Sequence, residues 1–141
     1  MFVRITRTRP DVELPKYQTS GSVAFDIAAA EDTTIAGKNP GFVLTGLIIA
    51  TPPGYALLIA ARSSLFMKKG LMLTNGVGVV DQDFCGPNDE LRLSLWNPSD
   101  TPVMISKGER LAQGLFVPIE RAEWQEGSAE GPSRGGYGST G

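Results

Sequence analysis

The apolar runs in this chain are short, and each is closed by residues that favour a turn. Glu90-Leu-Arg-Leu-Ser-Leu-Trp96 alternates apolar and polar side chains until Asn97-Pro-Ser-Asp100 stops it, the period of two that marks a half-buried strand. Val3-Arg-Ile-Thr-Arg7 alternates in the same way. The runs 42–50 and 55–60 are apolar and too short for ordinary helices, with Thr51-Pro-Pro-Gly54 as the turn between them. Two more, 103–105 and 111–117, flank a turn at Lys107-Gly-Glu109. One stretch differs: Ser63-Ser-Leu-Phe-Met-Lys-Lys-Gly70 offers a capping serine, helix-tolerant residues and a glycine stop, which predicts a single short helix. Many short strands at regular spacing, with ten prolines among them, point to an all-β domain, either a barrel or a jelly roll.

At 141 residues the chain is long enough for one domain with its own core and little more. Apolar residues make up 41%, ordinary for a globular protein, and no run approaches the length of a membrane span. The first seven residues alternate as a strand and lack the pattern of a secretory signal. The one cysteine, Cys85, cannot form an internal disulfide and fits a reducing compartment. Together these features predict a cytoplasmic protein, or one inside a host cell if its source is a phage or virus. A net charge of −2 gives no basic face for nucleic acid, although a few local arginines suffice for a small anion. Histidine is absent, which removes Ser-His and Cys-His pairs, histidine metal sites and the commonest general base. Any hydrolysis must be run by a carboxylate, or by a metal held on oxygen ligands.

Chemistry concentrates in Asn75-Gly-Val-Gly-Val-Val-Asp-Gln-Asp-Phe-Cys-Gly86. Alternating valine and glycine reads as a tight hairpin whose backbone can approach a ligand closely. Asp81 and Asp83 stand at its foot, either as ordinary turn acids or as a group that takes a proton from water. Phe84 beside them is a core aromatic or a ligand contact. Arg62, Ser63 and Ser64 open the short helix, where they form a phosphate cradle or merely a cap and a solvated charge. Asp26 interrupts an apolar strand, and Gln113 faces inward from another. Composition divides the chain into an all-β domain over 1–125 and a Gly-, Ser- and Glu-rich tail over 126–141. Such a tail is disordered by composition, but Arg134 and Tyr137 within it favour a segment that orders on a ligand.

In order along the chain, Ala24-Phe-Asp-Ile-Ala28, Arg62-Ser-Ser-Leu65, the segment 75–86, Arg110-Leu-Ala-Gln113 and Ser133-Arg-Gly-Gly-Tyr-Gly-Ser-Thr-Gly141 resemble the five motifs of the trimeric dUTPase family. That family converts dUTP to dUMP and pyrophosphate. The resemblance covers about 3 to 141 and implies a distorted jelly-roll or β-barrel-like single domain with one short helix, assembled as a homotrimer. It implies sites built from three chains, with the phosphate cradle from one, the hairpin from a second and the tail from a third. Asp81 is then the general base that activates water for attack on the α-phosphorus. Arg62, Ser63 and Ser64 hold the triphosphate, with the Ser63 hydroxyl near the oxygen between the α and β phosphorus atoms. Asn75 and the backbone of Gly78, Val79 and Val80 read uracil, and Phe84 packs on the deoxyribose. Gln113 reaches the phosphates or their waters. From the tail, Arg134 meets the γ-phosphate, Tyr137 stacks on the base, and Gly138 lets the backbone wrap the ligand. Mg²⁺ is the implied cofactor, with Asp26 near its water shell and no direct protein ligand.

The departures from the family pattern are local. Many members have two more residues between the tail arginine and its aromatic, and the turn Gly86-Pro-Asn-Asp-Glu90 is longer than usual. Cys85 occupies a place often held by a longer polar residue. Two competing readings follow from the same resemblance. dCTP deaminase shares an Arg-Ser-Ser-Leu element, but its catalytic glutamate would fall at Ser94. A dUTPase-like regulatory module that binds a protein partner is the other, with the turn 87–89 as its surface.

Overall fold

The turn chemistry divides residues 1–136 and 138, which the computed structural model describes, into eleven strands and one helix. The strands are β1 Ile5–Arg7, β2 Phe25–Ala28, β3 Thr33–Ile35, β4 Asn39–Leu44, β5 Leu47–Ile49, β6 Tyr55–Ala61, β7 Met72–Leu73, β8 Val77–Val80, β9 Arg92–Asn97, β10 Val103–Ile105 and β11 Arg110–Pro118, with α1 at Leu65–Lys69. They pair antiparallel in four sheets, ordered β1-β5, β10-β3, β2-β11-β6-β8 and β4-β9-β7. None of the four closes on itself among the described residues, so the all-β domain is jelly-roll-like and not a closed barrel. No described helix is long and apolar enough to cross a membrane.

Alternation in the sequence becomes burial in the sheets. In β9, Leu93, Leu95 and Asn97 are buried while Arg92, Ser94 and Trp96 are not. The Asn97 amide is fully used: Nδ2 donates to the Ile35 carbonyl at 3.1 Å and the Thr101 carbonyl at 2.8 Å, and Oδ1 accepts from the Ser99 N–H and hydroxyl. This polar plug ties β9 to the turn after it. Ile27, Ile35, Leu57, Leu71, Leu93, Leu95, Ile105 and Leu111 are at most 1% exposed, and each contributes about 1.5–3 kcal/mol by leaving water. The long strand β11 lies at the centre of the four-stranded sheet. It crosses Phe25 at Gly114, where a Cβ would come within 2.5 Å of the ring.

Three local expectations change. The run 42–50 is two strands in two sheets, because the chain turns at Gly46 with φ 69°. Thr45 Oγ1 donates to the Leu91 carbonyl at 2.6 Å and the Gly46 N–H donates to Glu90 Oε1 at 2.7 Å, which fixes the break. The helix is shorter than its sequence signal: Ser64, not Ser63, is its N-cap residue and makes no side-chain cap bond, while Gly70 ends it at φ 66°. The segment 75–86 is not a self-paired hairpin. β7 pairs with β9 and β8 pairs with β6, so β8 is an edge strand of a different sheet.

Candidate active site

Strand register places two of the polar candidates, Asp26 and Gln113, on one face. Asp26 on β2 lies opposite Gln113 on β11, Gln113 opposite Ala60 on β6, and Ala60 opposite Val77 on β8. Residues directly opposite across a sheet share a face, so Asp26 and Gln113 project away from the core that Phe25, Ile59 and Leu57 fill, and Gln113 faces outward where the sequence suggested inward. A β-bulge between Arg110 and Ala112 then re-aims Arg110 toward the same carboxylate. Asp26 becomes the centre of an ionic cluster. Its Oδ1 lies 3.0 Å from Arg62 Nε and its Oδ2 lies 3.0 Å from an Arg110 terminal nitrogen, with only 10% of its side chain exposed. Arg62 also donates to the Arg110 carbonyl at 3.4 Å. Arg110 is thus paired with an acid, and that acid is Asp26.

Next to this cluster a cleft of about 270 Å³ is lined by Arg62, Ser64, Lys68, Lys69, Glu109 and Arg110, among others. Arg62 and Arg110 share Asp26, and Lys69 pairs with Glu109 at 3.0 Å. Lys68 has no ion pair among the described residues, so the cleft keeps an excess of positive charge suited to a polyanion. Sequence reasoning passes over Lys68 and Lys69, which read there only as basic residues closing a helix. The Ser63 side chain is exposed and makes no hydrogen bond among the described residues.

The segment 75–86 presents a different surface. β8 has β6 as its only neighbour among the described residues, so its outer edge has no strand partner, although the Val77 N–H turns back to the Asn75 carbonyl at 2.7 Å. The Val80 side chain is buried, Val79 is exposed, and Gly78 is close to the core, where a Cβ would stand 3.2 Å from Ile59 Cβ. The Asn75 amide nitrogen lies 3.4 Å from that same position, over the strand. Asp81 and Asp83 are exposed in the turn that follows, and Phe84 is 42% exposed, which excludes its reading as a core aromatic. At the deaminase position, the Ser94 hydroxyl accepts from Thr74 Oγ1 at 2.7 Å, so no carboxylate stands there.

One chain does not bring these two surfaces together. β8 runs antiparallel to β6 with Val80 opposite Leu57, so Asp81 falls opposite Ala56. Arg62 follows the far end of β6. At about 3.3 Å per residue, the advance from Ala56 to Arg62 separates Asp81 from Arg62 by about 20 Å along the sheet. The third group stands apart from both: from 119 to 136 no residue is in a helix or strand, and Arg134 and Gly138 are exposed. Tyr137 lies outside the described residues.

No group of three acidic or cysteine side chains able to cage a metal occurs among the described residues. Asp26 and Gln113 share a face, and both Asp26 oxygens are already engaged by Arg62 and Arg110, so the pair suits a magnesium ion that keeps its waters and arrives on phosphate oxygens, not one caged directly by protein.

Comparison with known proteins converges on one family. A family model described as dUTPase matches residues 10–141. The deoxyuridine 5'-triphosphate nucleotidohydrolase of Shewanella oneidensis is 42% identical over 96% of this chain and 91% of its own length. The crystal structure of dUTPase from Streptococcus mutans superposes with a TM-score of 0.78 at 32% identity, covering 85% of this chain and 98% of that one. A dUTPase variant from phage phi11 of S. aureus, whose structure coordinates a structural Mg(II) ion, shares the fold with a TM-score of 0.82 at 19% identity, over 92% of this chain and 98% of that one.

Proposed function

The chain belongs to the dUTPase family, hydrolases of dUTP, and on that premise we propose that Asp81 drives the reaction at sites shared between three copies of the chain. The observation that carries this reading is the separation of about 20 Å between Asp81 and Arg62 along one sheet. A triphosphate held by Arg62, Ser63 and Ser64 of one copy meets Asp81 only if a second copy supplies it. The exposed arm, with Arg134 for the γ-phosphate and Tyr137 for the base, comes from a third.

The Asp81 carboxylate, free of hydrogen bonds among the described residues, accepts a proton from water as the water oxygen attacks the α-phosphorus. The bond from the α-phosphorus to the oxygen bridging to the β-phosphorus breaks, and pyrophosphate leaves with that electron pair. Ser63 donates toward the bridging oxygen, while Arg62, with Arg110 behind it, offsets the charge on the phosphate chain. Asp26 holds both guanidinium groups in place. Magnesium bound to the triphosphate would neutralise part of its charge, with Asp26 and Gln113 facing its waters.

Base choice follows from the edge of β8. Uracil offers acceptor, donor, acceptor, which backbone groups of 78–80 and the Asn75 amide can match. Cytosine puts an amino donor against a backbone donor, at a cost of roughly 1–3 kcal/mol for each unpaired group. The close backbone at Gly78 also leaves no space for a 5-methyl group, and Phe84 against the deoxyribose disfavours a 2′-hydroxyl. Pyrophosphate release measured with Mg²⁺ across dUTP, dCTP, dTTP and UTP is expected to be strong for dUTP alone. Comparable turnover of dCTP would end the edge-strand account of base reading.

A further inference from the structure

We propose that Gln82 is a positioning residue for the hydrolytic reaction, holding the turn that presents Asp81 by donating its side-chain amide to the Tyr55 carbonyl. The inference rests on Asp81 being the general base. The β6–β8 pairing ends at Leu57 opposite Val80, so Asp81 is the first residue with no ladder partner. Its direction is then left to the turn, whose own bonds are a 3.4 Å contact from the Phe84 N–H to the Asp81 carbonyl, a 2.9 Å bond from the Cys85 N–H to the Asp83 carbonyl and a 3.6 Å contact from the Cys85 thiol to the Gln82 carbonyl. None of the three ties the turn to the sheet. Gln82 does: its Nε2 donates to the Tyr55 carbonyl at 3.1 Å, beside the point where the next ladder bond would fall.

The anchor at the other end is firm. Tyr55 is paired with Pro118 on β11, and its N–H donates to the Pro52 carbonyl at 3.1 Å. The contact demands a hydrogen-bond donor here, which the Gln82 amide supplies and a glutamate carboxylate would not. Gln82 is half-buried between two exposed aspartates, so its bond is shielded more than theirs would be. A carboxylate that is short by an ångström loses much of its advantage, because misplacement of that size costs as much as 10²-fold in rate.

The test compares Gln82→Met, which keeps the length of the side chain and removes the donor, with the wild type and with Asp81→Asn. Gln82→Met is expected to lower kcat by about 10- to 100-fold while KM for dUTP stays within about threefold. Gln82→Asn, polar but one methylene too short to reach Tyr55, should show the same loss of kcat. In the Asp81→Asn background, Gln82→Met should cost nothing further, because the group it positions is already gone. If Asp81→Asn is disabled and Gln82→Met keeps kcat within twofold of wild type, the positioning role is overturned. An equal loss in both backgrounds overturns it too, since that marks a general structural defect. If Asp81→Asn itself turns over normally, the base assignment fails first, whatever Gln82 does.

Discussion

Asp81→Asn is expected to lower kcat by about 10²–10⁴-fold, the usual worth of general-base assistance. Asparagine keeps the size and much of the hydrogen-bonding capacity of aspartate but cannot take a proton from water near neutral pH. The fold should tolerate the change, because Asp81 is exposed and its carboxylate makes no hydrogen bond or ion pair among the described residues. Binding of a non-hydrolysable dUTP analogue should survive, since the cationic cleft is distant in the chain and the backbone edge of β8 is untouched. Asp83→Asn is the internal control and should have a much smaller effect. Steady-state kinetics with titration of the analogue separates the outcomes. Normal turnover in Asp81→Asn with loss in Asp83→Asn would move the base two residues along the same turn.

Removing residues 131–141 is expected to cut turnover severely while leaving the melting temperature nearly unchanged. The described part of the arm has no helix or strand and its side chains are exposed, so it adds little to the core that sets stability. What it carries on this account is Arg134 for the γ-phosphate and Tyr137 for the uracil face. Loss of the stack alone, by Tyr137→Ala, should weaken nucleotide binding by roughly 1–3 kcal/mol. Unchanged kcat and KM in the shortened protein would return the arm to the disordered tail that its composition suggests.

Much of the fold was legible in the sequence, and the parts that were not have a common cause. Alternation in 90–96 announces β9 because one face of that strand is buried and the other is not. The break at Gly46 was hidden inside the run 42–50, since contacts from Glu90 and Leu91, distant in sequence, separate the buried strand β5 from β4, in which only Val43 is buried. The edge position of β8 was missed for the same reason: valine and glycine in alternation specify a strand, whereas its partner is decided by β6. Among the candidate residues, Arg110 beside Asp26 required a β-bulge that no residue type advertises. Gln82 stood in plain view within the segment 75–86, but its partner is a backbone carbonyl, which sequence does not reveal. The distance between Asp81 and Arg62 depends wholly on strand register, so the incomplete site of a single chain emerged only with the fold.

That incompleteness is the centre of the account, and mixing two disabled chains tests it directly. Asp81→Asn and Ser63→Ala chains, each nearly inactive alone, are unfolded together in equal amounts and refolded. If a site takes its cradle from one copy and Asp81 from the next, every mixed trimer contains one intact site of three. Random assembly makes three quarters of the trimers mixed, so dUTP turnover should recover to about a quarter of the wild-type value. Turnover no higher than the average of the two separate variants would mean that each chain completes its own site, and would contradict the account.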